Sequence, residues 1–364
     1  MVRFTRADYV DLFGVTPICR VQDADIWRYL VSPRTKQILG AILQVKNPIV
    51  SDSRDGLFPQ QELSNLNDHR MHGGKHGDKI VRFPFSTNMY ECENGLFVVM
   101  RDGVKFEALG YAGDWKNGKA ELCMKLALRD RRFDGTPRAN DCALLDFPYS
   151  DPKWCRPLSP KLKSVELSIY GFVPGTRLRE TKFGGDADYD EFVRQPFAFL
   201  KDPQKFLGYF KQAWHSGRAP GQNALPTDDV AHFVLPGFEL LAKRAGYDFI
   251  ELCPSHYHVA RWVMKAGYTP TEPRHIQVMK DFETHFAALA ASGQKLRRAH
   301  ESWVCVLQSL KPNSLIDPAF NFNGPIWPQD NIAPENLWMY KALSRRGAAY
   351  KVPALDVPSV SSVT

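Results

Sequence analysis

Residues 248–270, DFIELCPSHYHVARWVMKAGYTP, leave the chain little freedom of local structure. The apolar run at 249–252 reads as a buried strand. Pro254 and Ser255 open a helix in which Val259, Trp262, Val263 and Ala266 fall on one stripe, and Gly267 stops it before a new strand. The stretch just before repeats the plan, with Pro236 near a helix start and Gly246 at its end. Helices and strands joined this tightly must pack the helices on a sheet. A further strand is read at residues 275–282, HIQVMKDF.

Upstream, Asn94-Gly95, Asp102-Gly103 and Asn117-Gly118 are hairpin dipeptides, because both residue types tolerate positive φ. They separate apolar segments at 89–93, 96–101, 104–113 and 119–129, an antiparallel meander. Residues 164–173 give one more strand, alternating Val165, Leu167 and Ile169 with Glu166, Ser168 and Tyr170. The fold class read from this is α+β: a mixed, mainly antiparallel central sheet flanked by helices.

Residues 1–50 carry helical pattern in DADIWRYLVSP and TKQILGAILQV. Residues 51–79 are polar and Gly-containing, and read as a surface loop or lid. The main α/β domain spans 80–311, with an aromatic-rich helical insertion at 180–228 broken by Pro196 and Pro203. A helix is read within 283–311, and residues 312–364 form a Pro-rich arm.

Composition excludes several classes. No run of 18 apolar residues exists, so no membrane span is read. The N-terminal residues are charged where a signal peptide is apolar, and the seven cysteines stand singly. A reducing cytoplasm and the absence of a structural metal follow as expectations. The net charge is +7 and the pI near 8.9. Short basic clusters at 129–132, 295–298 and 345–346 suit either a solvated surface or an acidic partner.

The stretch LLAKRAGYDFIELCPSHYHVARWVMKAGYTPT resembles the C-terminal half of the GNAT superfamily of acyl-CoA N-acyltransferases, through Gly246, Ile250, Leu252, Ala260, Lys265, Gly267 and Tyr268. It looks closest to the variant used by long-chain N-acyl amino acid synthases and acyl-homoserine-lactone synthases. The resemblance implies an acyl donor, acyl-CoA or acyl carrier protein, and a small-molecule or protein amine as acceptor. It also implies an acidic carrier protein as a partner and a donor-binding segment after the strand at 164–173, with Phe172, Val173, Gly175, Thr176, Arg177 and Arg179. That segment departs from the family's Gly-rich pyrophosphate loop. Val263 stands where the family often has a Tyr general acid, and His256 where an Asn is often found. Three outcomes stay open: a remodelled cofactor site, a carrier-protein donor, or a scaffold that has lost activity.

Amide formation needs a base, a polarised thioester carbonyl and an opening between two parallel strands. Glu166 and Glu251 are the candidate bases, against a plainer reading of each as a solvent-facing strand residue. His256 and His258, in the first turn after a strand, suit proton transfer or helix capping. Cys253 invites a nucleophile reading but more often such a residue is buried and inert. His69, His72 and His76 have metal-like spacing, interrupted by glycines, and the carboxylates of 185–191 read as a solvated turn. Two functions are therefore carried forward. One is an N-acyltransferase moving an acyl group from a CoA or carrier-protein thioester to an amine. The other is a non-catalytic nucleic-acid- or protein-binding module on a degenerate acyltransferase scaffold.

Overall fold

The structure, a computed structural model, describes residues 17–30, 45–47, 87–92, 95–101, 105–117, 119–130, 162–171, 187–222, 234–310, 320, 322–328 and 337–350. In chain order the helices are α1 (Asp23–Leu30), α2 (Ala187–Arg194), α3 (Pro203–Ser216), α4 (Leu235–Ala245), α5 (Tyr257–Lys265), α6 (Pro273–Ala291), α7 (Arg298–Leu307) and α8 (Arg345–Ala348). The strands are β1 (Val45–Asn47), β2 (Thr87–Cys92), β3 (Gly95–Arg101), β4 (Lys105–Asp114), β5 (Lys119–Asp130), β6 (Ser164–Gly171), β7 (Phe249–Leu252), β8 (Thr269–Pro270) and β9 (Met339–Ala342). The chain divides into two units. The first holds residues 1–185, 223–252 and 342–347, and the second holds 186–222, 253–341 and 348–364. The proposed lid at 51–79 and the donor segment after Gly171 lie outside the described residues.

The first unit is built on strands β1 to β7, which lie side by side in sequence order. Every neighbouring pair from β1 to β6 is antiparallel, and β6–β7 is parallel. This is the α+β, mainly antiparallel mixed sheet that the sequence implies. Alternation sorts its two faces. Phe106, Ala108, Leu126, Leu128, Val165, Leu167 and Ile250 share one face and are all buried. Each of these Phe, Leu, Val and Ile side chains removed from water contributes roughly 1.5–3 kcal/mol, and Ala108 less. Two helices belong to this unit's core. Ile26 and Leu30 of α1 and Leu235, Phe238, Leu241 and Ala242 of α4 are buried, and the two helices pack on each other.

Two helices end by the same device. Gly246 after α4 and Gly267 after α5 take φ of 90° and 91°, which costs a residue with a β-carbon. The following amides, Tyr247 and Tyr268, then donate to the carbonyls of Ala242 and Val263. Both stops were legible as Ala-Gly-Tyr in the sequence.

The second unit is mainly helical, with β8 and β9 forming a short antiparallel pair. The segment read as an arm thus supplies a strand. Phe192, Phe206, Phe210 and Trp303 interlock at its centre, with Phe192 stacked on Trp303 at 5.3 Å. The Trp303 indole N–H donates to the Arg218 carbonyl at 2.6 Å, so the ring is buried without an orphaned donor.

Three sequence expectations are corrected here. Residues 275–282 are not a strand but the first half of α6. Pro273 occupies its first turn, and the buried His275, Met279, Phe282 and Phe286 recur at helical spacing. The single helix expected within 283–311 is the second half of α6 and then α7, divided by Gly293 at φ 89°. Of the expected stripe Val259, Trp262, Val263 and Ala266, helix α5 buries only Val263, together with Tyr257 and Ala260. Tyr257 turns that face inward by packing on Phe282 and Phe286, at 5.1 and 5.2 Å between ring centroids.

Candidate functional site

Two clusters carry the chemistry, one in each unit. In the first unit, the face of the sheet opposite the apolar one holds Glu107, Lys125, Arg129, Glu166 and Glu251. Sequence alternation suggests solvent there, yet Glu107, Lys125, Arg129 and Glu251 are buried. The charges survive burial by pairing. Lys125 Nζ lies 2.5 Å from Glu107 Oε1, and Arg129 Nη2 donates to Glu166 Oε2 at 2.6 Å. The Ser164 hydroxyl donates to Glu251 Oε1. Ionisable groups thus run along this face from β4 to β7, interleaved with the buried Leu109 and Ala127.

This row ends at the parallel junction. Glu166 and Glu251 are direct register partners on β6 and β7, so the two candidate bases are brought together on one face. Pairing between these strands covers only Ser164, Val165 and Glu166 opposite Phe249, Ile250 and Glu251. Strand β6 continues through 167–171 paired to β5 alone among the described residues. Two positions flanking β7 are pinned. Tyr247 donates its hydroxyl to Asp130 at 2.8 Å, and Asp248 accepts from the Lys163 amide at 2.9 Å and the Ser344 hydroxyl at 2.6 Å. Burial works to raise the Asp248 carboxyl, but these bonds and the Arg346 charge hold it below its usual range.

In the second unit, His256 and His258 stand at the mouth of α5. His256 occupies the N-cap position but its side chain makes no cap bond. Its ring is buried and nearly parallel to both Phe197 and His258, each at 6.0 Å between centroids. Among the described residues its Nδ1 has no hydrogen-bond partner. Burial, with His258 beside it, holds this imidazole well below its ordinary pKa, so it is neutral near pH 7. Gly221 backs onto the ring so closely that a β-carbon there would lie 2.8 Å from Cδ2.

His258 differs. It is half-buried, and one hydroxyl meets it twice. Ser302 Oγ accepts the His258 backbone N–H at 3.1 Å and lies 2.9 Å from Nδ1. Arg298 donates to the His258 carbonyl at 3.1 Å. Burial and the Arg298 charge push the His258 pKa down to about 4. Ser302 carries no sequence signal for this role, because it lies 44 residues away on α7 inside an unremarkable apolar helix.

The remaining candidates have plain placements. Cys253 is exposed rather than buried. Asp188, Asp190 and Glu191 lie on α2 and pair with Lys205, Arg218 and Arg194 respectively. Among the described residues no cluster of metal-ligating side chains occurs, and no helix is long and apolar enough to cross a membrane. Phe172, Val173, Gly175, Thr176, Arg177, Arg179 and the histidines at 69, 72 and 76 lie outside the described residues. Compared with protein-family models, curated proteins and solved structures, the chain matches none.

Proposed function

We propose that the chain is a GNAT-like N-acyltransferase that takes an acyl group from a CoA or carrier-protein thioester and delivers it to an amine. One observation carries the reading. Strands β6 and β7 are adjacent and parallel, pair over three positions only, and end that pairing at two glutamates. A thioester arm needs strands that diverge, with unpaired backbone groups near the reacting carbonyl, and β6 runs on past this pairing to Gly171 while β7 stops at Leu252. In the reaction the amine nitrogen attacks the thioester carbonyl carbon. The C–S bond then breaks, and the thiolate leaves and takes up a proton. The amine's proton passes to a carboxylate, directly or through water. Glu166 is half-buried and better able to meet an amine than Glu251, which is 1% exposed and engaged by Ser164. Residues Phe172 to Arg179 follow β6 directly in the chain, and the donor's phosphates would be met there.

Calorimetric titration with short- and long-chain acyl-CoAs tests the donor, and release of free thiol in the presence of amines tests the transfer. Micromolar binding with turnover supports the proposal. Glu166→Gln is expected to keep acyl-CoA binding and lose turnover by about 100-fold or more. No acyl-CoA binding, together with salt-sensitive binding of DNA or RNA, would overturn it in favour of a binding module on the same scaffold.

A further inference from the structure

We propose that Ser302 is a positioning residue that locks His258 as a neutral imidazole with its proton on Nε2, making His258 a hydrogen-bond donor to a ligand oxygen rather than a base. The argument is one of counting. Ser302 is buried, so its hydroxyl proton needs an acceptor inside the protein. Its oxygen already accepts the His258 backbone N–H. A serine within a helix often donates back to the carbonyl one turn earlier. Here the hydroxyl has no acceptor among the described residues except His258 Nδ1, at 2.9 Å. The proton therefore points at Nδ1, and Nδ1 must present a lone pair. An imidazole that accepts at Nδ1 carries its own proton on Nε2 when neutral. A doubly protonated ring would face the hydroxyl with an N–H and orphan its proton.

The surroundings favour the same state. Arg298, bonded to the His258 carbonyl, places a positive charge beside the ring. Arg261 and Glu301, paired at 2.7 Å, join α5 to α7 one turn further on and hold the two helices in register. The His258 ring is thus fixed at its Nδ1 edge. Its Nε2–H remains the edge available to an acceptor, such as a carbonyl, carboxylate or phosphate oxygen. A lone pair at Nε2, which a general base would need, is absent in this state. This inference concerns the second unit only and does not depend on the transferase reading.

Long-range proton–nitrogen correlation NMR of the full-length protein near pH 7 reads the tautomer directly. The expected wild-type pattern has a pyridine-like Nδ1 and a pyrrole-like Nε2 for His258. A pyrrole-like Nδ1, or a doubly protonated ring, overturns the proposal without reference to activity. In Ser302→Ala the His258 nitrogens are expected to move toward an averaged mixture of tautomers, while Ser302→Thr, which keeps the hydroxyl, restores the wild-type pattern. An unchanged His258 pattern in a folded Ser302→Ala protein also overturns it.

Discussion

The two units bury polar groups by opposite means. In the first, full charges are taken out of water and neutralised in pairs: Lys125 with Glu107, Arg129 with Glu166. In the second, His256 is buried and His258 half-buried, both as neutral rings, and among the described residues no counter-charge pairs with either. A buried charge is left stranded when its partner is removed. Neutral imidazoles tolerate isolation but fail when acid forces a proton on them.

The largest expected effect comes from breaking a pair. Among the described residues no directional hydrogen bond reaches either Glu107 oxygen, and Lys125 is the charge that compensates its burial. Lys125→Met is expected to cost about 3–5 kcal/mol in urea unfolding, because it strands a buried carboxylate. The double variant Lys125→Met, Glu107→Leu is expected to recover most of that loss, since the pair itself repays its desolvation poorly. A single variant costing less than about 1 kcal/mol would show that Glu107 meets water or another donor.

Acid separates the units next. The folded pKa of His258 is depressed, so its contribution is complete above the ordinary value of 6.5 and is lost as pH falls toward about 4. At about 1.4 kcal/mol per pKa unit, this one ring removes roughly 3 kcal/mol across that window. His256 shifts in the same direction. Asp248 in the first unit works in another window. Its pKa is lowered, so its contribution holds down to the ordinary carboxylate value of 3.8 and is lost only below it. Hydrogen exchange followed from about pH 7 to about pH 4 should therefore show peptides of α5 and α7 losing protection before those of β6 and β7. His258→Gln should flatten the slope in the second unit. Parallel loss in both units, or a slope that survives the substitution, would show that neither ring is held neutral.

This contrast was only half legible in the sequence. The meander and the Ala-Gly-Tyr helix stops were readable because turn residues and glycine act locally, within a few positions of where they stand. Burial of Lys125 and Arg129 was not readable. A charge alternating with Leu126 and Leu128 looks the same whether it faces water or a partner 18 or 37 residues distant in the chain. Helix α6 resembles a strand in sequence because Ile276 and Val278 alternate, while the helical period that wins needs Met279, Phe282 and Phe286 together. The parallel adjacency of β6 and β7 was an expectation that required the whole sheet, and it holds. The Ser302–His258 contact had no signal at all, since a single hydroxyl leaves no pattern.

A smaller perturbation probes the histidine stack without touching a titratable group. Gly221 takes φ of 79°, and a β-carbon there would press on the His256 ring. Gly221→Ala is expected to cost about 1–3 kcal/mol from crowding, with a further ~1 kcal/mol from the left-handed backbone. The first unit's sheet should keep its exchange protection. A near-neutral substitution would mean that the His256 ring has room to move, and with it the case for an immobile stack fails.

The smallest expected effect separates local from long-range capping within the second unit. Helix α3 is capped by its own neighbour, because the Asp202 carboxylate accepts the Lys205 amide at 3.1 Å. Helix α5 has no such local cap, and one of its first-turn amides is instead satisfied by Ser302 from α7. Asp202→Ala should therefore cost about 1 kcal/mol, and Asp202→Asn much less, because an asparagine oxygen can accept the same bond. Neither change should alter the His258 nitrogen signals, since the lost bond serves only its own helix. Ser302→Ala costs a comparable amount in stability but reaches across to a second helix and shifts those signals as well. If Asp202→Ala perturbs His258 as strongly as Ser302→Ala does, the hydroxyl has no special hold on the ring, and the tautomer is set by the unit's overall packing.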